Sequence, residues 1–188
     1  MKFTGIKNFP LLELGLSQIY LNEAKIKAIE SWFTPDDMSN FEPLPVRDFG
    51  DGRYTLTDGH TRAYVLLKNG FTQIPIIYDN DDIVAGELGH LLYREDIRWC
   101  ERFGIRNIQD LSDRIVSDHD YRKYWNERCD RSHNLLTKLT MEELGNIQMQ
   151  VPELFLYGAS EDLAEFYFED NCGKLFVYKE GKLNPEKE

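Results

Sequence analysis

Apolar positions repeat most clearly in one stretch of the first half of the chain, and they predict a strand, a tight turn, a helix and a second strand. Residues 53–57 alternate aromatic and β-branched side chains, a pattern typical of a strand. Apolar residues then cluster within 61–69, which predicts a short buried helix that ends at Gly70 in the left-handed conformation. Residues 74–78 predict a second, buried strand. Between the first strand and the helix, Asp58 is the expected N-cap and Gly59 permits the sharp turn.

The segments on either side of this unit have weaker patterns. Residues 2–15 are mixed in character and predict an irregular lead-in, and residues 16–21 predict a first strand. Asn22 is a suitable cap for a helix that reaches residue 33. Residues 34–45 contain prolines and small polar residues and predict a loop, which is either a lid over a ligand or a plain connection.

Beyond residue 80 the pattern changes first to helical periodicity and then to short strands. Asp79, Asn80, Asp81 and Asp82 favour a hinge and a helix cap over a Mg²⁺ site. The predicted helices cover 83–103, 108–117 and 121–133, with Ser117 and Asp118 separating the last two. The predicted strands of a small β-meander cover 153–157, 163–169 and 175–178, followed by a frayed tail at 184–188. The chain is therefore expected to be α+β, with domains at 1–80 and 81–188.

Charge and composition restrict the classes of function. The net charge is −11, with 22 basic and 33 acidic residues, which argues against nonspecific binding of nucleic acid. Residues 1–80 carry 8 basic and 10 acidic side chains, so an anion meets less repulsion there than in the acidic remainder. No apolar run has the length of a membrane span, and three widely spaced cysteines favour reduced thiols. A cytoplasmic protein without a membrane partner is the expectation.

The predicted turn carries the clearest candidate chemistry. Asp58, Gly59, His60, Thr61 and Arg62 bring free backbone N–H groups, a hydroxyl, an imidazole and a guanidinium to the start of a helix. A helix N-terminus attracts anions, and arginine can hold two phosphate oxygens at once. The turn is thus a candidate phosphate site. The alternative is that Asp58 only caps the helix, His60 lies at the surface and Arg62 pairs with a carboxylate.

The stretch TDGHTRAYVLLKNGFTQIPIIY resembles the core of the ParB/sulfiredoxin-like superfamily, in which a strand ends in a DGHxR-type turn before a helix and a short strand. The resemblance covers about residues 14–80 and implies a ParB/sulfiredoxin-like N-terminal domain with a helical and small β appendage. Its nearest variant is the DGHHR turn of ParB-like free-serine kinases, with Thr61 in place of the second histidine. Sulfiredoxins need a cysteine where this chain has His60, so their chemistry is not implied.

The resemblance also implies roles for single residues. Glu23 lies where those kinases have a catalytic glutamate, although an acidic residue also suits the first turn of a helix without any catalytic role. His60 would orient or neutralise a phosphate oxygen, beside the phosphate-binding residues Asp58, Gly59, Thr61 and Arg62. The implied cofactors are a nucleoside di- or triphosphate and Mg²⁺, and the implied acceptor is a small hydroxyl-bearing metabolite.

Two other classes of function are open at the level of sequence. One is a non-catalytic nucleotide-dependent switch that recruits a protein partner, and the other is a ParB-like nuclease or DNA-associated factor, against which the acidic charge argues.

Arginines recur every four residues at 94, 98, 102 and 106, which on a helix makes a basic stripe. The stripe either faces the turn or is solvated and paired with nearby acids. No cluster of histidine and cysteine with metal-site spacing occurs.

Overall fold

The computed structural model describes residues 2, 4–151, 154–170 and 172–186, and these form a mixture of helices and strands, which confirms the α+β class. Contacts divide the chain into two compact units, 1–125 and 126–188. The predicted domain boundary after residue 80 lies inside the first unit. Among the described residues, no helix has the length and apolar character needed to cross a bilayer.

A four-stranded mixed sheet is the centre of the first unit. Its strands are β1 (Ile6–Pro10), β3 (Leu44–Asp48), β4 (Tyr54–Leu56) and β5 (Gln73–Tyr78), and their order is β1-β5-β3-β4. β5 is antiparallel to β1 and parallel to β3, while β3 and β4 form an antiparallel hairpin. The inner positions of β3 and β5 are fully buried, as expected for the middle strands of a covered sheet.

Two helices pack together beside this sheet and carry the residues of interest. The first, α1 (Glu23–Glu30), follows the two-residue strand β2 (Leu21–Asn22), and the second, α2 (His60–Lys68), connects β4 to β5. The side chain of Asn22 accepts from the N–H groups of Ala24 and Lys25, so the predicted cap of α1 is confirmed. The predicted helix, its end at Gly70 and the following strand are confirmed as well.

The predictions for residues 2–21 are wrong. Residues 6–10 form β1 at the edge of the sheet, whereas residues 16–20 are not in a strand. Leu16 and Ile19 are buried without ladder pairing, and Ser17 is held by bonds to residues far along the chain. The buried apolar side chains therefore gave a strand-like pattern to a segment that is irregular.

The second half of this unit is less helical than its pattern indicated. The helix expected over 83–103 is broken at Gly86 into α3 (Asp82–Ala85) and α4 (Glu87–Arg102), and Asp81 caps α3. The helix expected over 108–117 is a 3₁₀ turn (Ile108–Leu111) followed by β6 (Ile115–Val116), which pairs in parallel with β2. Ser117 then caps α5 (Asp118–Tyr121), and a π-helical turn (Arg122–Asn126) follows.

The second unit contains two helices and an antiparallel meander. Its helices are α6 (Glu127–Leu136) and α7 (Met141–Gln150), and its strands are β7 (Phe155–Ala159), β8 (Glu165–Glu169), β9 (Leu175–Lys179) and β10 (Lys182–Pro185). These strands pair in the order β10-β9-β8-β7, which confirms the predicted meander and adds a strand where a frayed tail was expected. The predicted start of β7 at Glu153 and the end of the tail at 187–188 lie outside the described residues.

Candidate functional site

The turn between β4 and α2 places backbone N–H groups ahead of the first helical hydrogen bond, although its cap differs from the predicted one. Gly59, not Asp58, is the N-cap of α2, and its φ of 81° is in the left-handed region that favours glycine. The first helical hydrogen bond runs from the N–H of Ala63 to the carbonyl of Gly59. The N–H groups of His60, Thr61 and Arg62 therefore precede the helical ladder, where their dipoles favour a negative charge.

His60 is buried beneath the turn, with only 4% of its surface exposed. Its Nε2 accepts the backbone N–H of Ser17 at 3.1 Å, so the ring proton of the neutral imidazole is on Nδ1. Burial lowers the pKa of His60 from 6.5 to about 4, and the weaker effects of Asp58 and Asp96 act in the opposite direction. At neutral pH this imidazole is therefore uncharged and contributes no positive charge to a bound phosphate.

Arg62 is held beside the turn by carboxylates. Its Nη2 donates to Asp58 Oδ2 at 3.3 Å, and its Nη1 lies 3.8 Å from Glu42 Oε2 and donates to the Glu42 carbonyl at 3.3 Å. The side chains of Asp58 and Glu42 are 79% and 88% exposed, so these ion pairs are worth less than about 1 kcal/mol each. An incoming phosphate can replace such partners at small cost.

A cavity of about 320 Å³ opens directly at this turn. All five residues of the predicted site, 58–62, line it, together with Gln18 from the segment before β2, Lys25, Ala28 and Ile29 from α1, and Tyr121 from α5. Its volume is at the lower end of the range for small-molecule pockets. Its walls combine an apolar side from α1 with a polar side from the turn, an arrangement that suits an amphipathic ligand with one anionic group.

Lys25 is a cation of this cavity that the sequence analysis did not identify. The side chain is exposed on the first turn of α1, and its Nζ lies 5.0 Å from the centre of the Tyr121 ring. The cation–π contact orients the ammonium group without neutralising it. Among the residues that line the cavity, Lys25 and Arg62 are the cations and Asp58 is the carboxylate, while the Asp118 carboxylate, which interacts with Lys25, is outside the lining.

Glu23 lies apart from this arrangement. Its carboxylate is exposed and forms an i,i+4 ion pair with Lys27, and Glu23 is not among the residues that line the cavity. The structure thus brings the five turn residues together and leaves the implied catalytic glutamate outside their pocket. The sequence contained one usable signal for Lys25: it lies three residues after the Asn22 cap, on a helix that the pattern already placed before the turn.

Two further features bear on the sequence predictions. The loop over residues 34–45, for which a lid and a plain connection were both open, contributes Glu42 to Arg62 but does not line the cavity. Arg94 and Arg98 line a separate hollow of about 150 Å³ beside Asp51 and Glu101, and Arg98 lies 3.8 Å from Glu95. This part of the arginine stripe therefore lines a different hollow from the turn residues, and Arg98 is paired with an acid.

Comparisons with known proteins do not extend these observations. Neither the protein-family models nor the curated proteins gave a match. Among solved structures, the chain is similar to the protein Atu1540 from Agrobacterium tumefaciens, with 12% identity, a TM-score of 0.37, and coverage of 75% of this chain and 84% of the other.

Proposed function

We propose that this chain binds the phosphate groups of a nucleotide in the cavity at the start of α2. The observation that carries the proposal is that one cavity of suitable size joins the free N–H groups of the turn to Lys25 and Arg62. Backbone donors and two cations around one cleft favour a ligand with at least one phosphate. The resemblance of the turn to the ParB/sulfiredoxin-like superfamily is an independent reason for the same expectation.

In this proposal each group at the turn has a separate task. The N–H groups of Thr61 and Arg62 and the Thr61 hydroxyl donate to phosphate oxygens, while the guanidinium of Arg62 exchanges its carboxylate partners for the ligand. Lys25 approaches from the opposite wall. A di- or triphosphate would bring Mg²⁺, and Asp58 is the carboxylate of the cavity that can join phosphate oxygens around that ion.

We favour binding without phosphate transfer, as in a nucleotide-dependent switch. Transfer to a small hydroxyl-bearing metabolite needs a group that takes the hydroxyl proton next to the phosphate. Glu23, the candidate for that role, pairs with Lys27 and does not line the cavity. Buried His60 offers no alternative base, because its Nε2 already accepts from Ser17.

Isothermal titration calorimetry with ATP and Mg²⁺ tests the binding proposal. Lys25→Ala and Arg62→Ala are each expected to weaken binding about tenfold, since each removes one charge-assisted contact to phosphate. Lys27→Ala is the matched control, because it removes the same charge from the same helix outside the cavity, and its affinity is expected to stay within about twofold of wild type. Equal effects of Lys25→Ala and Lys27→Ala would contradict a specific site.

Phosphorus NMR separates the two versions of the function. The protein is incubated with ATP, Mg²⁺ and a pool of small alcohols and amino acids, and the phosphorus signals are followed over time. Unchanged ATP signals are expected. A new phosphoester signal that depends on the protein and is lost in Glu23→Gln would instead establish the phosphotransferase.

A further inference from the structure

A continuous row of aromatic and arginine side chains begins beside the cavity. Tyr124 and Tyr20 have ring centres 6.4 Å apart, the guanidinium of Arg114 lies 5.7 Å from the ring of Tyr20, and the same guanidinium lies 4.8 Å from the ring of Phe103. We call these four residues the aromatic row. All four belong to the first compact unit.

The short ladder between β2 and β6 explains why this row exists. Tyr20 directly precedes β2 and Arg114 directly precedes β6, and the N–H of Leu21 donates to the carbonyl of Arg114 at 3.0 Å. Parallel pairing in this register brings the side chains of Tyr20 and Arg114 into contact. The guanidinium between two rings then fixes the orientation of Tyr20.

The same ladder connects the row to the cavity. β2 leads into α1, which carries Lys25, and β6 leads into α5, which carries Tyr121. Tyr124 lies three residues after Tyr121 in the chain, and Tyr121 lines the cavity. Tyr20 is connected to the cavity as well, because Gln18 lines the cavity and its side-chain amide donates to the carbonyl of Tyr20.

Exposure shows that the row is not simply part of the core. Tyr124 is 49% exposed and Phe103 is 41% exposed, although both are large apolar rings in a protein with many buried aromatic residues. Exposed aromatic faces next to arginine are the usual surface on which nucleobases stack. A cavity of about 320 Å³ is small for a whole nucleotide, so part of such a ligand would extend beyond it.

We propose that the nucleobase of the bound nucleotide stacks on Tyr124 and Tyr20 at the mouth of the cavity, while its phosphates lie at the start of α2. This inference rests on the proposed function and adds the place where the base of the nucleotide is held, which distinguishes a nucleotide from a sugar phosphate or an inorganic phosphate. Arg114 is a positioning residue in this scheme, because it holds Tyr20 and does not contact the phosphates.

The test is calorimetry with three phosphate-bearing probes, each with Mg²⁺. ATP carries a base, whereas ribose 5-phosphate and tripolyphosphate carry none. Tyr124→Ala is expected to weaken ATP binding about tenfold, equivalent to ~1.4 kcal/mol, and to leave tripolyphosphate binding within about twofold. Tyr124→Phe keeps a stacking face and is expected to bind ATP as wild type does. Trp32→Ala is the control, since Trp32 is 48% exposed and does not line the cavity.

The outcomes separate this inference from the function on which it rests. If wild-type protein binds tripolyphosphate as tightly as ATP, or if Tyr124→Ala weakens both by the same factor, the stacking site is overturned and the phosphate site survives. If neither ATP nor tripolyphosphate binds, the phosphate site fails and the stacking site fails with it. Circular dichroism of each variant confirms that the fold is retained.

Discussion

Protonation of buried His60 should make the stability of this protein depend on pH between about 6.5 and 4. The imidazole is enclosed under the turn, and burial lowers its pKa to about 4 from the value of 6.5 that applies in the unfolded chain. In that interval the unfolded state binds a proton that the folded state does not. Stability is therefore complete above pH 6.5 and is lost as pH falls toward 4.

The size of the effect follows from these two pKa values. Lowering the pH from 7.5 to 5.0 should reduce the free energy of unfolding by ~2 kcal/mol through His60 alone. The neutral Nε2 accepts from the N–H of Ser17 at 3.1 Å and a protonated Nε2 could not, so this hydrogen bond also favours the neutral imidazole in the folded state. Both effects act in the same direction.

Urea unfolding at pH 7.5 and 5.0 measures this loss in wild type and in His60→Gln. The glutamine carbonyl can accept from Ser17 but does not titrate, so the variant should lose ~2 kcal/mol less than wild type between the two pH values. His119→Gln is the control: His119 is exposed, and its replacement should leave the loss unchanged. Equal losses in wild type and His60→Gln would refute the reasoning.

Nuclear magnetic resonance gives a check that does not depend on the folding of a variant. In the wild-type protein the imidazole carbon shifts of His60 should stay at their neutral values from pH 7.5 down to about 5. A midpoint near 6.5 for His60 would show that the imidazole is accessible to solvent, in conflict with its burial.

Backbone and cap substitutions give four further predictions, each measured by urea unfolding. Asn22→Ala removes the cap of α1 and should cost ~1–2 kcal/mol, with a loss of ATP affinity because α1 carries Lys25. Gly59→Ala should cost ~1–3 kcal/mol, since its φ is 81° and the new Cβ would lie 2.7 Å from Leu44. Gly89→Ala places a Cβ 2.0 Å from a backbone carbonyl and should cost ~2–3 kcal/mol, whereas Gly145→Ala, in an open helical position, should stabilise by ~0.5–1 kcal/mol.

The elements that the sequence predicted well are those defined by short-range signals. The unit from residue 53 to 78 has strong alternation, a glycine at each end of its helix and a clear second strand, and it was confirmed element by element. The exception is its cap. Asp58 has the residue type of an N-cap, but its carboxylate turns to Arg62 and Gly59 takes the cap position.

Long-range pairing was not accessible from the pattern. β1 is a strand because Ile6 to Pro10 pair with β5, almost 70 residues later, and its own composition is unremarkable. Likewise, β2 and β6 are two residues each and leave no periodic signal. The five turn residues could be selected from the sequence because they are consecutive, but Lys25 and Tyr121 meet only through this distant ladder.

The two-residue ladder also has a consequence for protein engineering. Transplanting residues 53–78 into another scaffold would move the recognisable motif without two walls of its pocket, because those walls come from before residue 30 and after residue 115. Homologues that share the motif but have diverged at the β2–β6 ladder would lack the pocket in the same way. A useful search for functional equivalents should therefore require both the β2–β6 ladder and the turn.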